Sequence, residues 1–461
     1  MKHYINYFSE LDGVDGVFKN AAELFFQENV PVFQCSDKEL EMMYYFRWWT
    51  FYKHIKKTPQ GYVITEFLPD VGWAGKYNTI NFSAGIHIME GRWLRDSRYI
   101  EDYLKFWYTG GGDLRSYTTW LEYAAWQYSM TREARPLLEE LLPYMAVDYA
   151  CWEGAVGQFA GMRENGLFEA IDDREGTELS IGGSGYRPQI NAAMLGNCLG
   201  LAHLFPEGKE REFYFNKADR LKQLICSELW NGEDAFFEVQ NCSGKMSGVR
   251  ELGGYTPWYF TEMPSQYNEA WKFLTDKNHF AAEYGYSYAD QSHTDFCISY
   301  EGHECQWNGP SWPMATSMTL TALANLLHGD SKQAFVTAAD FCRGLQTYTH
   351  SQFIVLNGEK RPWIDENLNP FTGDWISRTM LYNKQDPMKD RGKDYNHSSF
   401  CDLIISGLVG LRVTPEGYWV APLCRDYLDW FMLDGVIVKD KSLSIYWDSV
   451  RNQPEIKEYE I

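Results

Sequence analysis

The dominant pattern along the chain is helical. Between residues 37 and 411, apolar residues recur three and four positions apart in one segment after another, with Gly, Pro, Asn and Asp between the segments. Because an α-helix completes a turn in about 3.6 residues, this spacing places the apolar side chains on one helix face. The pattern predicts helices over residues 37–55, 77 to about 90, 97–107, 114–130, 132–153, 187–205, 210–229, 310–328, 331–348 and 396–411.

A different pattern begins after about Val413. Apolar and polar residues alternate there in short runs separated by DG and KDK turns, which is typical of strands with one buried face. We therefore predict a mainly α fold, in which paired helices close an (α/α)6 toroid over residues 1–412. A short segment of antiparallel strands, residues 413–461, is expected to pack on it. The long loops of such a toroid gather at one end, where a pocket would form.

The composition narrows the choice of partners. The 461 residues carry a formal net charge of −21 without a basic block, so nucleic acid and membrane surfaces are poor partners. Aromatic residues make up 16% of the chain. Since sugar rings stack their C–H faces on aromatic side chains, this excess favours a small carbohydrate as the ligand. The oligomeric state stays open.

The cysteines and the metal-binding residue types form no ligand pattern. Ten cysteines are scattered without a CxxC spacing, which indicates free thiols in a reducing compartment. The N-terminal sequence lacks the apolar run of a signal peptide and no stretch is apolar enough to cross a membrane, so we expect a cytoplasmic protein. No metal and no cofactor is predicted, because HExxH, His/Cys clusters, calcium loops and phosphate-binding glycine motifs are missing.

Polar, aromatic and glycine residues are concentrated in five loop-rich segments at predicted helix ends. On composition alone, the acids in these segments are open to two interpretations, as solvated turn residues or as catalytic groups in a pocket. The segments are TEFLPDVGWAGKYNT (65–79), IDDREGTELSIGGSGYRP (171–188), ECQWNGPSWP (304–313), WIDENLNPFTGDW (363–375) and KDYNHSSFCD (393–402).

Several motifs carry a resemblance to a known group of enzymes. They are EGTELS followed by GYRPQINAAM, GGYTPWYF (253–260), QWNGPSW (306–312), ENLNPFTGDW (366–375) and DYNHSSFCDLIISGLVGLR (394–412). Over roughly residues 60–450, the chain resembles the six-hairpin glycosidase clan that includes glycoside hydrolase family 63 and the mannosylglycerate-hydrolase-like enzymes. The resemblance implies an (α/α)6 fold and inverting hydrolysis of an O-glycosidic bond.

The resemblance also implies two catalytic carboxyl groups. The motif that holds the general acid falls on residues 175–180 and points to Glu178, although the acid of this motif is usually Asp, so Asp172 and Asp173 stay open as alternatives. The general base precedes an N-P-x-T-G turn, which points to Glu366. Inverting hydrolysis requires a protonated acid and an ionised base about 6.5–9.5 Å apart on opposite sides of the scissile bond.

Further residues of the five segments are candidates for substrate contact. Several have a structural alternative: Trp307 and Trp312 can be core residues, Asn78 a helix cap, Arg187 the ion-pair partner of Asp172 or Asp173, and His397 a structural histidine. In the segment 363–375, Asp365 and Asp374 are expected to be turn residues beside the base. The candidates are Asp70, Trp73, Lys76, Asn78, Asp173, Arg187, Gln306, Trp307, Asn308, Trp312, Trp363 and His397.

The sequence thus predicts an exo-acting glycoside hydrolase that cleaves a small α-linked glycoside or disaccharide by inversion. Two other functions remain open. A sugar epimerase or isomerase on the same toroid would require histidines in the pocket, and a sugar-binding protein without catalysis would keep the aromatic residues but not the facing carboxyl groups.

Overall fold

The computed structural model describes residues 1–154 and 160–461. Most of the periodic segments form helices there, and a π-helix covers Leu403–Leu408 near the C-terminal end of the helical part. The α-helices are α1 (Lys2–Asp12), α2 (Gly16–Asn29), α3 (Lys38–His54), α4 (Ala84–Gly91), α5 (Arg98–Thr109), α6 (Leu121–Thr131), α7 (Arg135–Gly154), α8 (Pro188–Leu204), α9 (Lys209–Glu228), α10 (Pro257–Phe260), α11 (Pro313–His328), α12 (Ala338–Ser351) and α13 (Ile376–Asn383).

The strands are short and form small antiparallel sheets. They are β1 (Val32–Cys35), β2 (Ile55–Thr58), β3 (Gly61–Ile64), β4 (Ala160–Met162), β5 (Phe168–Ala170), β6 (Gly185–Tyr186), β7 (Trp230–Asn231), β8 (Phe236–Phe237), β9 (Ala281–Ala282), β10 (Gly285–Tyr286), β11 (Phe353–Leu356), β12 (Glu359–Pro362), β13 (Leu411–Thr414), β14 (Gly417–Val420), β15 (Trp430–Val438), β16 (Lys441–Asp448) and β17 (Glu455–Glu460).

The C-terminal strands form a sheet that also includes a strand from the beginning of the chain. Its order is β1-β15-β16-β17, with Cys35 opposite Phe431 and Phe431 opposite Trp447. The inward side chains Phe431, Leu433 and Ile445 are fully buried. The predicted strands after Val413 are therefore present, and the sheet is completed by β1, which the sequence pattern did not indicate.

The segment from Tyr77 to about Glu90 differs most from its predicted form. Only α4, which begins at Ala84, is a regular α-helix there. Tyr77 and Asn78 have φ values of 60° and 63°, a left-handed conformation that ends a helix. The Asn78 amide donates to the carbonyl oxygens of Phe67 and Pro69 at 3.1 and 3.0 Å, and these local bonds replace helical ones.

The boundaries of other predicted helices also differ from those in the structure. In the segment predicted over residues 114–130, the helix begins only at Leu121. The helix predicted over residues 331–348 begins at Ala338, where Thr337 and Asp340 form a capping box. Helices α1 and α2, near the N-terminus, were not predicted.

A buried carboxylate fixes the start of the last helical segment. The two oxygens of Glu90, on α4, accept hydrogen bonds from the backbone N–H groups of Phe400, Cys401 and Asp402 at 2.7, 3.0 and 3.0 Å. Burial raises the pKa of Glu90 to about 7, and the neighbouring guanidinium of Arg47 opposes the shift. Because a negative charge is favourable at a helix N-terminus, this contact joins α4 to the segment that follows Tyr395.

Much of the aromatic content serves the core. Several tryptophan rings are buried in the core between helices, so the high aromatic fraction is a weaker indicator of a sugar site than composition alone suggests. Among the described helices, none combines the length and apolar character needed to span a bilayer. Fully buried tryptophans of this kind are Trp48, Trp49, Trp93, Trp107, Trp120, Trp258 and Trp271.

Candidate active site

Loops at the ends of the helices enclose a cavity of about 280 Å³. Each of the five loop-rich segments supplies at least one residue of its wall, although they lie far apart in the sequence. Acidic and aromatic side chains predominate in the wall. The lining residues are Glu66, Phe67, Trp73, Ile80, Phe82, Tyr117, Asp173, Gly176, Glu178, His303, Glu304, Cys305, Trp307, Trp312, Glu366, Arg391 and Tyr395.

Glu178 reaches the cavity from a tight loop between β5 and β6. Leu179, the next residue, has a φ of 62°, and the Glu178 carbonyl accepts a hydrogen bond from the backbone N–H of Trp307 at 3.1 Å. The Cys305 thiol donates to Glu178 Oε2 at 3.0 Å. Burial raises the pKa of Glu178 above its ordinary value, and the thiol donor offsets part of that shift. The carboxyl group is thus positioned and favours its protonated form more than a solvated glutamate does.

The two alternative acids on the same loop are placed differently. The Asp173 side chain is 55% exposed at the mouth of the cavity, where it lies 3.9 Å from Arg174. Asp172 is not part of the cavity wall and accepts a long hydrogen bond from Ser184 at 3.4 Å. Of the three acids, Glu178 has the surroundings that a proton donor requires.

Glu366 enters the cavity from the loop before α13 and is 3% exposed. Its Oε1 accepts a hydrogen bond from Arg391 Nε at 3.0 Å, and Ser377 lies 3.4 Å from Oε2. Its backbone N–H donates to Asp365 Oδ1 at 2.9 Å. Burial, and next the charge of Glu366, raise the pKa of Asp365 to about 7. The Arg391 guanidinium balances the charge of Glu366. The hydrogen bond to Asp365 holds the backbone of Glu366 in place.

The turn after Glu366 holds the loop against the fold. Leu368 forms bridges with Ser311 and with Trp375, and Asn367 Oδ1 accepts from the backbone N–H of Ser377 at 3.0 Å, near the start of α13. Asp374 is exposed and accepts hydrogen bonds from Thr379 at 2.9 and 3.1 Å. The predicted turn role of Asp374 agrees with this geometry, since its carboxylate points to the helix start and not to the cavity.

A third glutamate of the cavity, Glu66, was not among the predicted site residues. Tyr395 donates a hydrogen bond to Glu66 Oε1, and Ser83 donates to Oε2 at 3.0 Å. Burial raises the pKa of Glu66 to about 7, and the charges of Glu366 and Glu178 act in the same direction. Its position within the segment 65–79 was the available signal, but no motif distinguished it from an ordinary buried acid.

Two of the predicted tryptophans form one wall of the cavity. Trp307 and Trp312 stack with ring centroids 4.0 Å apart and planes 6° apart. Trp73, which is 47% exposed, lies at the mouth, with the Arg391 guanidinium 5.3 Å from its ring. Together with Asp173, these are the predicted substrate-contact residues that the structure brings to the cavity.

The other predicted contacts support the loops or lie elsewhere, and none of them lines the cavity. Arg187 is buried and donates to Glu175, Thr177 and Ser180, which holds the Glu178 loop together. The side-chain amide of Asn78 donates to the backbone carbonyls of Phe67 and Pro69. Lys76 donates to the Gly110 carbonyl at 2.8 Å, and Asp70 lies on the surface 3.6 Å from Lys56.

The remaining four also lie behind or beside the wall. Gln306 Nε2 donates to the backbone carbonyls of Glu301 and His303, and the backbone carbonyl of Asn308 accepts from the backbone N–H of Cys297 at 3.1 Å. The indole N–H of Trp363 donates to Asp365 Oδ2 at 3.2 Å. His397 is buried behind Tyr395, with ring centroids 3.8 Å apart. None of the four is among the described lining residues.

The raised pKa of Glu66 predicts a pH-dependent stability. Between about pH 4.5 and 7 the folded protein keeps a proton on Glu66 that the unfolded chain has released, so the free energy of unfolding falls as the pH rises through this window. In Glu66→Gln, the decrease in the free energy of unfolding over this pH window should be smaller by roughly 3 kcal/mol, because one pKa unit corresponds to about 1.36 kcal/mol. Denaturant unfolding at pH 4.5 and pH 8 measures the difference. Asp70→Asn, at an exposed carboxyl group, is the control; equal pH dependence in wild type and Glu66→Gln would contradict the prediction.

The close packing around Gly392 leads to a second prediction, which concerns the position of the Glu366 loop. A Cβ at this residue would overlap Asp365 Oδ1 and approach the Glu366 Cγ to 3.3 Å. We expect Gly392→Ala to move both carboxyl groups and to lower kcat on the order of 10- to 100-fold, because Glu366 is the predicted base and a small displacement of a base is costly. Gly232→Ala, where a Cβ meets nothing within 4 Å, is the control. An unchanged kcat in Gly392→Ala at an unchanged melting temperature would refute it.

A helix-rich framework whose loops enclose carboxyl groups and stacked tryptophans is typical of glycoside hydrolases. The family model of the mannosylglycerate hydrolase MGH1-like glycoside hydrolase domain matches residues 76–398, which is more than half of the chain. The chain belongs to this family of glycoside hydrolase domains. The resemblance to mannosylglycerate-hydrolase-like enzymes inferred from the motifs is thereby confirmed.

Solved structures show the same framework. A sialidase structure is 32% identical, covers 99% of this chain and 43% of that one, and has a TM-score of 0.89; the chain therefore spans less than half the length of that protein. The GH63 mannosylglycerate hydrolase from Thermus thermophilus in complex with glucose is 12% identical, with coverages of 78% and 98% and a TM-score of 0.55. The GH78 family rhamnosidase of Bacillus sp. GL1 is 10% identical, with coverages of 91% and 40% and a TM-score of 0.53. No curated protein matches the sequence.

Proposed function

We propose that the protein hydrolyses a small α-linked glycoside with inversion of configuration, with Glu178 as general acid and Glu366 as general base. One observation carries this proposal: a single cavity contains a carboxyl group whose pKa is raised by burial and a second carboxylate whose charge is balanced by Arg391. These are the two environments that a proton donor and a water-activating base require.

The proposed reaction divides the two roles in the usual way for inversion. Glu178 donates its proton to the glycosidic oxygen as the bond to the anomeric carbon breaks, and Glu366 removes a proton from the water that attacks the opposite face of that carbon. The Cys305 thiol positions Glu178 for the donation, and Arg391 with Ser377 orients Glu366. The product would carry the anomeric configuration opposite to that of the substrate.

The size of the cavity supports exo-action on a small molecule. About 280 Å³ lies at the low end of the volumes usual for small-molecule sites, so a terminal sugar and little more is enclosed. The stacked Trp307 and Trp312 offer an aromatic surface beside the carboxyl groups, and Trp73 at the mouth can meet the leaving part of the glycoside.

The proposed architecture is an (α/α)6 toroid over residues 1–412, with residues 413–461 as the strand segment packed on it. The clustering of five distant loop segments around one cavity supports this arrangement. Support for a cytoplasmic, reducing environment comes from the ten cysteines, all of which are free.

The alternative functions find less support in the cavity. An epimerase or isomerase of the kind considered above requires a pair of pocket histidines, and of the described histidines His303 alone lines the cavity, while His397 is buried behind Tyr395. A sugar-binding protein without catalysis would have no use for a buried glutamate with a raised pKa in the same cavity as an arginine-bound one.

The test is a screen of the purified protein against nitrophenyl glycosides and natural disaccharides, with the anomer of the first product followed by NMR. Release of a sugar of inverted configuration is the expected result. Retention of configuration would overturn the proposed mechanism, and an epimerised sugar without bond cleavage would overturn the proposed hydrolysis.

A further inference from the structure

The two side-chain oxygens of Glu178 have different surroundings. Oε2 accepts a hydrogen bond from the Cys305 thiol at 3.0 Å. Oε1 accepts none from any other described residue, and it is not among the oxygens that are sealed in the protein interior without a partner. Since Glu178 lines the cavity, Oε1 is the oxygen that is open to it.

Backbone contacts hold the thiol beside Oε2. The N–H of Trp307 donates to the carbonyl oxygen of Glu178 at 3.1 Å, so the segment that carries Cys305 is bonded to the loop that carries Glu178. Within that segment, the N–H of Cys305 donates to His303 Nδ1 at 3.1 Å. The contact between the thiol and the carboxyl group is therefore set by two loops that are already joined through their backbones.

The sulfur of Cys305 keeps its hydrogen. Burial raises the pKa of this thiol well above its ordinary value, and the charges of Glu178 and Glu366 act in the same direction. The thiolate form is therefore not populated at neutral pH, and Cys305 acts as a hydrogen-bond donor to Oε2.

The donor on Oε2 leaves one favourable place for the acid proton of Glu178. A thiol carries a single hydrogen and its sulfur is a weak acceptor, so a proton on Oε2 would face the S–H group without a good partner. A proton on Oε1 lies on the open side of the carboxyl group, where an oxygen of a bound ligand can accept it.

We propose that Cys305 is a positioning residue that reserves Oε1 of Glu178 as the atom that holds the acid proton and donates it to the glycosidic oxygen. The inference rests on the proposed function for its kinetic part. It assigns the donating atom and a role for the thiol in the step itself, which the assignment of Glu178 as acid does not contain.

The step moves one proton and forms no bond to sulfur. The proton leaves Oε1 for the glycosidic oxygen while the bond from that oxygen to the anomeric carbon breaks. Glu178 becomes a carboxylate, and the hydrogen bond from Cys305 to Oε2 strengthens because its acceptor gains charge. The thiol thus stabilises the ionised form that the acid reaches after donation.

Two substitutions at Cys305 separate the donor from the space it fills. Cys305→Val has no donor, whereas Cys305→Ser keeps one. For glycosides with alkyl or sugar leaving groups, we expect Cys305→Val to lower kcat about 10-fold, as for the loss of one hydrogen bond, and Cys305→Ser to lower it much less. Aryl glycosides with an acidic phenol should be cleaved at nearly the wild-type rate by both. If Cys305→Val lowers the melting temperature, Cys305→Ala, which adds no bulk, is measured in its place.

The pH profile distinguishes a hydrogen-bond donor from a packing residue. Because the donor favours ionised Glu178, its loss should raise the pKa of Glu178 and move the high-pH fall of the activity upward by up to about one pH unit. Cys305→Ser should not move it upward. Equal losses for all leaving groups with an unmoved profile would indicate packing alone and overturn the inference, as would a Cys305→Ser variant that behaves like Cys305→Val.

Cys297→Val is the matched control. Cys297 is an exposed free thiol a few residues before Cys305, and it is not among the described lining residues. The same substitution there should leave kcat within about twofold of wild type and the pH profile unchanged. A shift of the profile in this variant as large as in Cys305→Val would contradict the assignment.

Infrared difference spectroscopy tests the contact without turnover. The C=O stretching band of protonated Glu178, assigned by its absence in Glu178→Gln, reports the ionisation of this carboxyl group. Its titration midpoint should lie at higher pH in Cys305→Val than in wild type, and an unchanged midpoint would overturn the inference. If no glycoside is cleaved, the proposed function fails, and this titration still decides whether the thiol acts on Glu178.

Discussion

Replacing Glu366 with glutamine is expected to lower kcat by about 10³-fold, within the range that a general base contributes. The amide can still occupy the space and accept a hydrogen bond from Arg391, so the cavity keeps its shape, but it cannot take a proton from water. The effect should therefore appear in kcat much more than in KM. Steady-state kinetics on the best substrate of the screen, with the melting temperature measured alongside, provides the result.

Asp374→Asn is the matched control for this variant. Asp374 lies in the same loop and carries the same chemical group, yet it is exposed and bonded to Thr379. Its replacement should leave kcat within about twofold of wild type, as is usual for surface substitutions. If Glu366→Gln behaves like Asp374→Asn, Glu366 is not the base.

The second large effect is expected for Glu178→Gln. Without the proton donor, hydrolysis of glycosides with alkyl or sugar leaving groups should slow by about 10²- to 10⁴-fold. Aryl glycosides with an acidic phenol as leaving group need little protonation, so their hydrolysis should slow far less. The high-pH fall of the activity profile should also disappear, because it reports the ionisation of the acid.

The same experiment decides between Glu178 and the two alternative acids. Asp172→Asn and Asp173→Asn are measured on the same series of leaving groups. A dependence on the leaving group that appears in one of these variants, and not in Glu178→Gln, would move the assignment of the acid to that residue. We expect neither to show it, since Asp172 is outside the cavity and Asp173 is largely exposed.

The helical framework was predictable because it depends on local periodicity. The segments that became α3, α5, α8 and α9 were predicted to within a few residues, since their apolar faces repeat with the helical period. The segment from Tyr77 to about Glu90 has the same kind of pattern, but Asn78 bonds its own loop and stops the helix. Such competition between local hydrogen bonds and helix is not visible in apolar spacing.

The cavity was predictable in part. The five loop-rich segments were identified by composition, and the structure brings all five to one cavity. Glu66 and Arg391 were missed because their importance arises from contacts with Tyr395, Glu366 and Glu304, most of them distant in sequence. Conversely, Arg187 and Asn78 were predicted to contact substrate, but in the structure they form hydrogen bonds within their own loops.

The position of β1 in the C-terminal sheet has a consequence for how the protein is made. During synthesis on the ribosome, Val32–Cys35 emerges long before β15, the strand with which it pairs. For most of translation its backbone groups form an open edge that can pair with another nascent chain. The ladder between Cys35 and Phe431 has one of the longest sequence separations in the fold, so we infer that it closes late and slowly. A chain that stops before β15 would leave β1 without its partner strand, and we expect it to aggregate more readily than the full chain.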